Sequence, residues 1–201
     1  MAKTDTLHDA FVEELRDAYD AEKQLIKALP TMANAASSPG LQAALEAHLE
    51  ETRRQVRRLE DVFASIEEAA RGKHCEGMAG IIQEGTSIME EAFDETTMDA
   101  CLIAAGQRME HYEIAVYGTL VAWAGAMGHA EAADLLQDTL DEEKGADRKL
   151  SALATGGINQ EAAGAAHSEG EEIDDDRDAE DAVGSGKRSE ATAKRPNLRA
   201  L

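Results

Sequence analysis

Residues 98–153 read MDACLIAAGQRMEHYEIAVYGTLVAWAGAMGHAEAADLLQDTLDEEKGADRKLSAL, and this stretch decides the fold class. Apolar residues recur in it at helical intervals, and only the dipeptide Gly128-His129 separates its two halves. Such spacing places apolar side chains on one face of an α-helix. Because the connection is so short, the two helices must pack antiparallel. The stretch therefore predicts a helical hairpin, with helices over about 95–126 and 129–154.

The first half of the chain repeats this arrangement. Apolar stripes predict helices over about 5–36 and 39–71, and Ser38 followed by Pro39 is typical of a helix start. Between the hairpins, the pattern MAGIIQEGTSIMEEA predicts a short helix within a glycine-punctuated crossover. Two antiparallel hairpins joined by one long crossover are the connectivity of ferritin-like proteins. We therefore predict an all-α, ferritin-like four-helix bundle over residues 1–156.

The charge of the chain limits its partners. The 201 residues include 41 acidic and 20 basic residues, which gives a formal net charge of -21 at pH 7. This charge argues against nucleic acid or an anionic membrane as the main partner and favours cations. No apolar run approaches the roughly 20 residues that cross a bilayer, and the first residues lack the apolar core of a signal peptide. We expect a cytoplasmic protein.

Residues 157–201 differ in character from the rest of the chain. They form an acidic run followed by a basic end, with few large apolar side chains. Because burial of so little apolar surface does not offset the entropy of ordering, we predict a disordered tail. A solvating tail is the simpler interpretation, and the alternatives are that the acidic run binds a basic partner or the basic end of the tail itself.

Four glutamates, Glu22, Glu51, Glu113 and Glu143, lie one on each long predicted helix. Three are centred on their apolar arcs, whereas Glu51 lies about 90° from the centre of its stripe. All four lie about 13 to 16 residues from the nearest turn, or roughly 20 to 23 Å along the helix. They would therefore meet near the middle of the bundle. Because burial of an unpaired carboxylate is costly, four at one level predict neutralising cations.

Further acids lie beside these four. Glu110 falls on the same arc as Glu113, and Asp147 follows Glu143 by about one turn. The two neighbours increase the number of carboxylates that can surround two cations. We predict terminal roles for Glu22, Glu110, Glu113 and Asp147.

The remaining assignments leave alternatives open. Glu51 and Glu143 are predicted to bridge the two ions, and Glu142 is an alternative to Glu143 that lies farther from the centre of its arc. His48 is either a ligand or a hydrogen-bond partner of Glu51. Oxygen-rich ligation with at most one imidazole favours iron or manganese over zinc or copper. The competing interpretation is that these acids form buried or interfacial salt bridges.

All four long segments resemble one known family. The matching stretches are ELRDAYDAEKQLIKALPTMA (14–33), HLEETRRQVRRLEDVF (48–63), AAGQRMEHYEIAVYGTL (104–120) and LDEEKGADRKL (140–150). At these residues the chain resembles the YciE/YciF family of bacterial ferritin-like, stress-associated proteins. The resemblance implies a four-helix ferritin-like fold, a di-metal centre with iron as the expected metal, and a homodimer. Ferritin-like proteins commonly carry Glu-x-x-His on two helices, whereas this chain has His48-x-x-Glu51 on one and Glu143 with Asp147 on another.

Two functional hypotheses follow. The first is a cytoplasmic ferritin-like protein whose carboxylates hold two iron ions, or manganese, for redox chemistry with dioxygen or peroxide during stress. The second is a noncatalytic, dimeric structural or interaction protein whose acidic tail serves as a docking arm. The content of bound metal distinguishes them.

Overall fold

The structure is a computed structural model that describes residues 6–164. Most of the predicted tail lies outside the described residues. The helices are α1 (Leu7–Ala35), α2 (Pro39–Ser65), α3 (Glu76–Met89), α4 (Glu95–Met127) and α5 (Ala130–Leu153). A π-helical turn, Ala154–Ile158, follows α5, and the chain is then helical to residue 164. The predicted all-α class is confirmed, and within 6–164 no helix is both long and apolar enough to cross a bilayer.

Local sequence explains where the helices begin and end. Thr6 forms a capping box at the start of α1, since its side chain accepts from the Asp9 amide and the Asp9 carboxylate accepts from the Thr6 amide. The Ser38 hydroxyl caps α2 by accepting from the Leu41 amide at 3.4 Å. Gly128 ends α4 with a φ of 81°, a left-handed conformation that permits the sharp turn into α5.

The helices pack as two hairpins. Helix α1 packs on α2 and α4 packs on α5, while α2 also packs on α5 and α1 on α4. Helix α3 lies in the crossover between the hairpins and contacts α4 and α1. This arrangement is the predicted ferritin-like four-helix bundle.

A polar layer divides the core. The buried apolar side chains form two clusters. The first includes Leu25, Leu45 and Leu102, and the second includes Leu15, Leu59 and Leu120. Along α1, the residues of the second cluster precede Glu22 and the first cluster extends beyond it. Along α4, the residues of the first cluster precede Glu113 and those of the second cluster follow it. The glutamates thus lie between two apolar layers, at the mid-bundle depth expected from the sequence.

The predicted end of α2 at residue 71 is wrong, because the helix ends at Ser65. Glu67 has a φ of 59°, and the Glu68 amide donates to the Phe63 carbonyl at 2.9 Å while the Glu67 amide donates to Ala64 at 3.1 Å. These bonds form the six-to-one and five-to-two pattern of a Schellman cap. The left-handed position usually holds glycine. Because a glutamate occupies it here, no local residue pattern marks the end of α2.

The carboxyl-terminal boundary also differs from the prediction of residue 156. The change in composition after Gly156 suggested the end of the bundle, but Gly157 lies within the π-helical turn, with a φ of 154°. Helical structure resumes beyond it, and Ile158 is 8% exposed and packs in the same apolar cluster as Ala154. The ordered helical chain therefore reaches residue 164.

We expect a chain ending at residue 164 to be more stable than one ending at residue 156. The shorter chain loses Ile158, whose burial contributes about 1 to 2 kcal/mol. Urea unfolding of the two truncated proteins measures this difference. Equal free energies of unfolding would show that the last helical segment does not contribute to the core.

Candidate metal centre

The polar layer gathers buried side chains from all four long helices. Its members are Glu22 from α1, His48, Thr52 and Gln55 from α2, Glu110 and Glu113 from α4, and Thr139 and Glu143 from α5. None of them is more than 5% exposed. Acidic side chains are rarely this buried unless they are paired or bind a metal. The buried acids of this layer must therefore be protonated, paired with basic groups or neutralised by bound cations.

Four of these residues come together as one group of potential ligands. His48, Glu110, Glu113 and Glu143 each offer one ligand atom, and these atoms lie within 4.8 Å of one another. The His48 Nε2 atom is 3.3 Å from Glu110 Oε1 and 4.0 Å from Glu143 Oε2. Three carboxylates with one imidazole form a donor set that suits iron or manganese.

Glu22 adjoins this group from α1. It is 1% exposed, and its Oε1 atom accepts a hydrogen bond from the hydroxyl of Tyr117. Burial, followed by the nearby Glu143 carboxylate, raises the pKa of Glu22 to about 8. Glu22 therefore contributes a fourth carboxylate next to the four-residue group.

The electrostatics of the group disfavour ionising all of its carboxyls together. Burial raises the pKa of Glu110 to about 8, and burial with neighbouring carboxylates raises the pKa of Glu113 and Glu143 well above the usual range. Burial alone would lower the pKa of His48, but Glu51, Glu143 and other carboxylates outweigh it and raise that pKa. The metal-free site must therefore retain protons, or it must take up positive charge.

Several ligand atoms lack hydrogen-bond partners, which tests whether the site suits a cation. Unpartnered buried atoms are the Oε2 atoms of Glu22, Glu110, Glu113 and Glu143 and both ring nitrogens of His48. Among residues 6–164, His48 is the basic residue that lies 4.0 Å or less from these carboxylates. No lysine or arginine of this part of the chain comes as close. Buried salt bridges therefore do not explain the acids, whereas divalent cations would engage the free oxygens.

Two residues outside the predicted ligand set, Gln55 and Arg58, support the group through hydrogen bonds. The Gln55 amide donates to Glu143 and, at 3.1 Å, to Glu142 Oε2. Arg58 binds both oxygens of Glu142, at 2.8 and 3.0 Å. Glu142 is thus neutralised outside the group, and Glu143 is the glutamate of α5 that faces it. Gln55 follows His48 by two helical turns, which is the signal that could have identified it; Arg58 carries no such signal.

Besides Glu22, two predicted ligands lie outside the four-residue group. The Glu51 side chain is 33% exposed, and its Oε2 atom lies 3.7 Å from His48 Nδ1. Asp147 instead accepts from Gln107 at 3.3 Å and lies 3.2 Å from the His111 ring. The structure therefore brings Glu51 close to a member of the group and turns Asp147 toward the outer face of α4.

Comparisons with known proteins agree with this architecture. The family described as a domain of unknown function (DUF892) matches residues 6–163. Protein YciF of Escherichia coli K12 is 44% identical over 158 residues, which cover 78% of this chain and 95% of YciF. The crystal structure of the E. coli stress protein YciF matches with a TM-score of 0.75 and 43% identity, covering 78% of this chain and 99% of that one. YcfI of Rhodopseudomonas palustris, described as a candidate structural protein, matches with a TM-score of 0.72 and 42% identity, covering 75% and 96%.

Proposed function

This chain belongs to the DUF892 family, and from that premise we propose that it binds two iron or manganese ions in the polar layer and uses them in redox chemistry with dioxygen or peroxide. One observation carries the proposal. Four buried carboxylates each leave an oxygen without a hydrogen-bond partner, and neither lysine nor arginine neutralises them within the described part of the chain. The name of the E. coli stress protein supports a role during stress.

The chain's own residues would hold and orient the metal ligands. We assign His48, Glu110, Glu113 and Glu143 as ligands, with Glu22 completing the site from α1. The Tyr117 hydroxyl and the Gln55 amide each donate a hydrogen bond to one of the carboxylates and fix its orientation. When bound, two redox-active ions would supply electrons to the oxidant.

The apolar layers on both sides of the site would exclude bulk water. Tyr117 and Leu120 on one side, and Leu25 and Met109 on the other, are each at most 2% exposed. A dry environment strengthens the attraction between carboxylates and cations. The fold thereby favours tight retention of the ions between its two apolar clusters.

A noncatalytic structural role is the second candidate, and the description of the R. palustris relative favours it. In such a protein, the buried acids would serve packing of the bundle or of its partner and would take no part in a reaction. The family resemblance also leads us to propose a homodimer for either function, which light scattering can check. Only the first candidate requires metal-dependent consumption of an oxidant.

Oxidation of bound iron tests the proposed function. Full-length protein is loaded with iron(II) without oxygen and then mixed with hydrogen peroxide or dioxygen, while absorbance follows the oxidation. We expect iron(II) bound to the protein to be oxidised about tenfold faster, or more, than iron(II) free in buffer. Glu113→Ala should abolish this acceleration, whereas Glu50→Ala, an exposed position on α2, should retain it. Bound iron that reacts no faster than free iron would favour the structural role.

A further inference from the structure

A cavity of about 220 Å³ opens between α2 and α5 beside the candidate metal centre. We call it the α2–α5 cavity, and its lining includes His48, Glu51, Glu110, Gly145 and Ala146, together with the charged residues Glu142 and Lys149. Two of these residues belong to the four-residue group of ligands. The cavity therefore reaches the site itself rather than a separate region of the bundle.

Three polar residues of the cavity form a series of increasing burial. The side chain of Glu51 is 33% exposed, that of His48 is 6% exposed and that of Glu110 is 4% exposed. Glu51 Oε2 is 3.7 Å from His48 Nδ1, and the other ring nitrogen of His48 is 3.3 Å from Glu110 Oε1. Both ring nitrogens lack hydrogen-bond partners. Potential ligand atoms thus follow one another from the solvent to the buried group.

On the α5 side of the cavity, two of the lining residues, Gly145 and Ala146, have little or no side chain, and larger side chains line the rest. Gly145 lies inside α5, where glycine costs about 1 kcal/mol relative to alanine. Tight packing does not require it, because an added Cβ would meet only Arg148, at an ordinary contact distance of 3.9 Å. Ala146 follows it. Small residues at these two positions keep the cavity open.

We propose that the α2–α5 cavity is the access route by which a hydrated divalent cation reaches the metal centre, and that Glu51 receives the cation before His48 and Glu110 bind it. The inference rests on the proposed function, since it presupposes a metal centre. The cavity is lined by three carboxylates, those of Glu51, Glu110 and Glu142, against one lysine, Lys149, and this balance together with the net charge of -21 favours a cation over an anion. Glu51 is then a positioning residue on the route rather than a permanent ligand.

The rate of cobalt(II) uptake tests the route. Metal-free, full-length protein is mixed with cobalt(II) in a stopped-flow instrument, and the absorbance of bound cobalt gives both the rate and the final amount. Ala146→Leu, which adds bulk in the cavity, should slow uptake at least about tenfold and leave the final amount unchanged. Ala133→Leu is the matched control, because it makes the same change at a half-buried alanine of α5 away from the cavity.

A second pair of variants tests the role of Glu51 without added bulk. Glu51→Gln should slow uptake about tenfold with an unchanged final amount, whereas Glu50→Gln, which removes the same charge from the exposed neighbouring position, should load at the normal rate. Normal rates for both Ala146→Leu and Glu51→Gln would overturn the route. A reduced final amount in Glu51→Gln would also overturn it, because Glu51 would then be a ligand. If the unaltered protein bound no cobalt, the metal centre itself would be refuted.

Discussion

Changing both Glu22 and Glu113 to Gln is expected to raise the free energy of unfolding of the metal-free protein by about 2 kcal/mol or more at pH 8. Both carboxyls are buried beside other acids, so each raised pKa reflects a cost that the folded state bears. Glutamine removes the charge at nearly constant shape, and its carbonyl can still accept the hydrogen bond from Tyr117. Urea unfolding after treatment with a chelator measures the change.

The control for this double variant is Glu46→Gln with Glu84→Gln, which removes two charges at exposed positions and should change stability little. If Glu22 and Glu113 instead had basic partners, their replacement would strand those partners and lower stability by roughly 3 kcal/mol or more. The sign of the change therefore distinguishes repulsion among carboxylates from buried salt bridges. A clear destabilisation would contradict a site in which the buried carboxylates have neither lysine nor arginine as partners.

The stability of the metal-free protein should fall as the pH rises from about 5 to about 8, by roughly 3 kcal/mol or more. Glu22 and Glu110 have folded-state pKa values of about 8, against an ordinary value of 4.5. In this interval the unfolded chain has already released these protons, whereas the folded chain still holds them. Their contribution is complete below the unfolded pKa and is lost as the pH passes the folded pKa. Urea unfolding at a series of pH values gives the slope.

The metal-loaded protein provides the matched comparison for this slope. Cations bind deprotonated carboxylates, so the loaded protein should gain stability over the same pH interval. The double variant of Glu22 and Glu113 should show a shallower slope than the unaltered metal-free protein, because it has fewer titrating groups. A metal-free protein that becomes more stable with rising pH would show that these carboxyls are not held in their protonated form.

Much of the fold could be predicted from the sequence because periodicity and turn chemistry are local properties. The apolar stripes and Gly128 identify the second hairpin, and Ser38 with Pro39 marks the start of α2. The boundaries that failed depend on context. Glu67 adopts a conformation that glycine usually occupies, and Ile158 packs in the core although it belongs to a stretch whose polar composition suggested a tail.

The site was less predictable because it depends on how the helices rotate against one another. Centring on an apolar arc indicated which way Glu22, Glu113 and Glu143 point, and the structure buries all three. Glu51 lies about 90° off its stripe and is half-exposed, as that angle implies. The spacing of Gln55 from His48 could indicate that both lie on one face of α2, but the partner of Gln55, Glu143, lies on a helix far away in sequence and depends on how the helices pack.

The metal content of the full-length protein is the most direct test of the central claim. Protein purified without chelators, and protein incubated with iron(II) or manganese(II) and then desalted, would be analysed by inductively coupled plasma mass spectrometry. Two ions per folded chain are predicted, with a marked loss in Glu113→Ala and none in Glu50→Ala. A folded protein that retains neither iron nor manganese under both conditions would contradict the claim that the buried carboxylates form a metal centre.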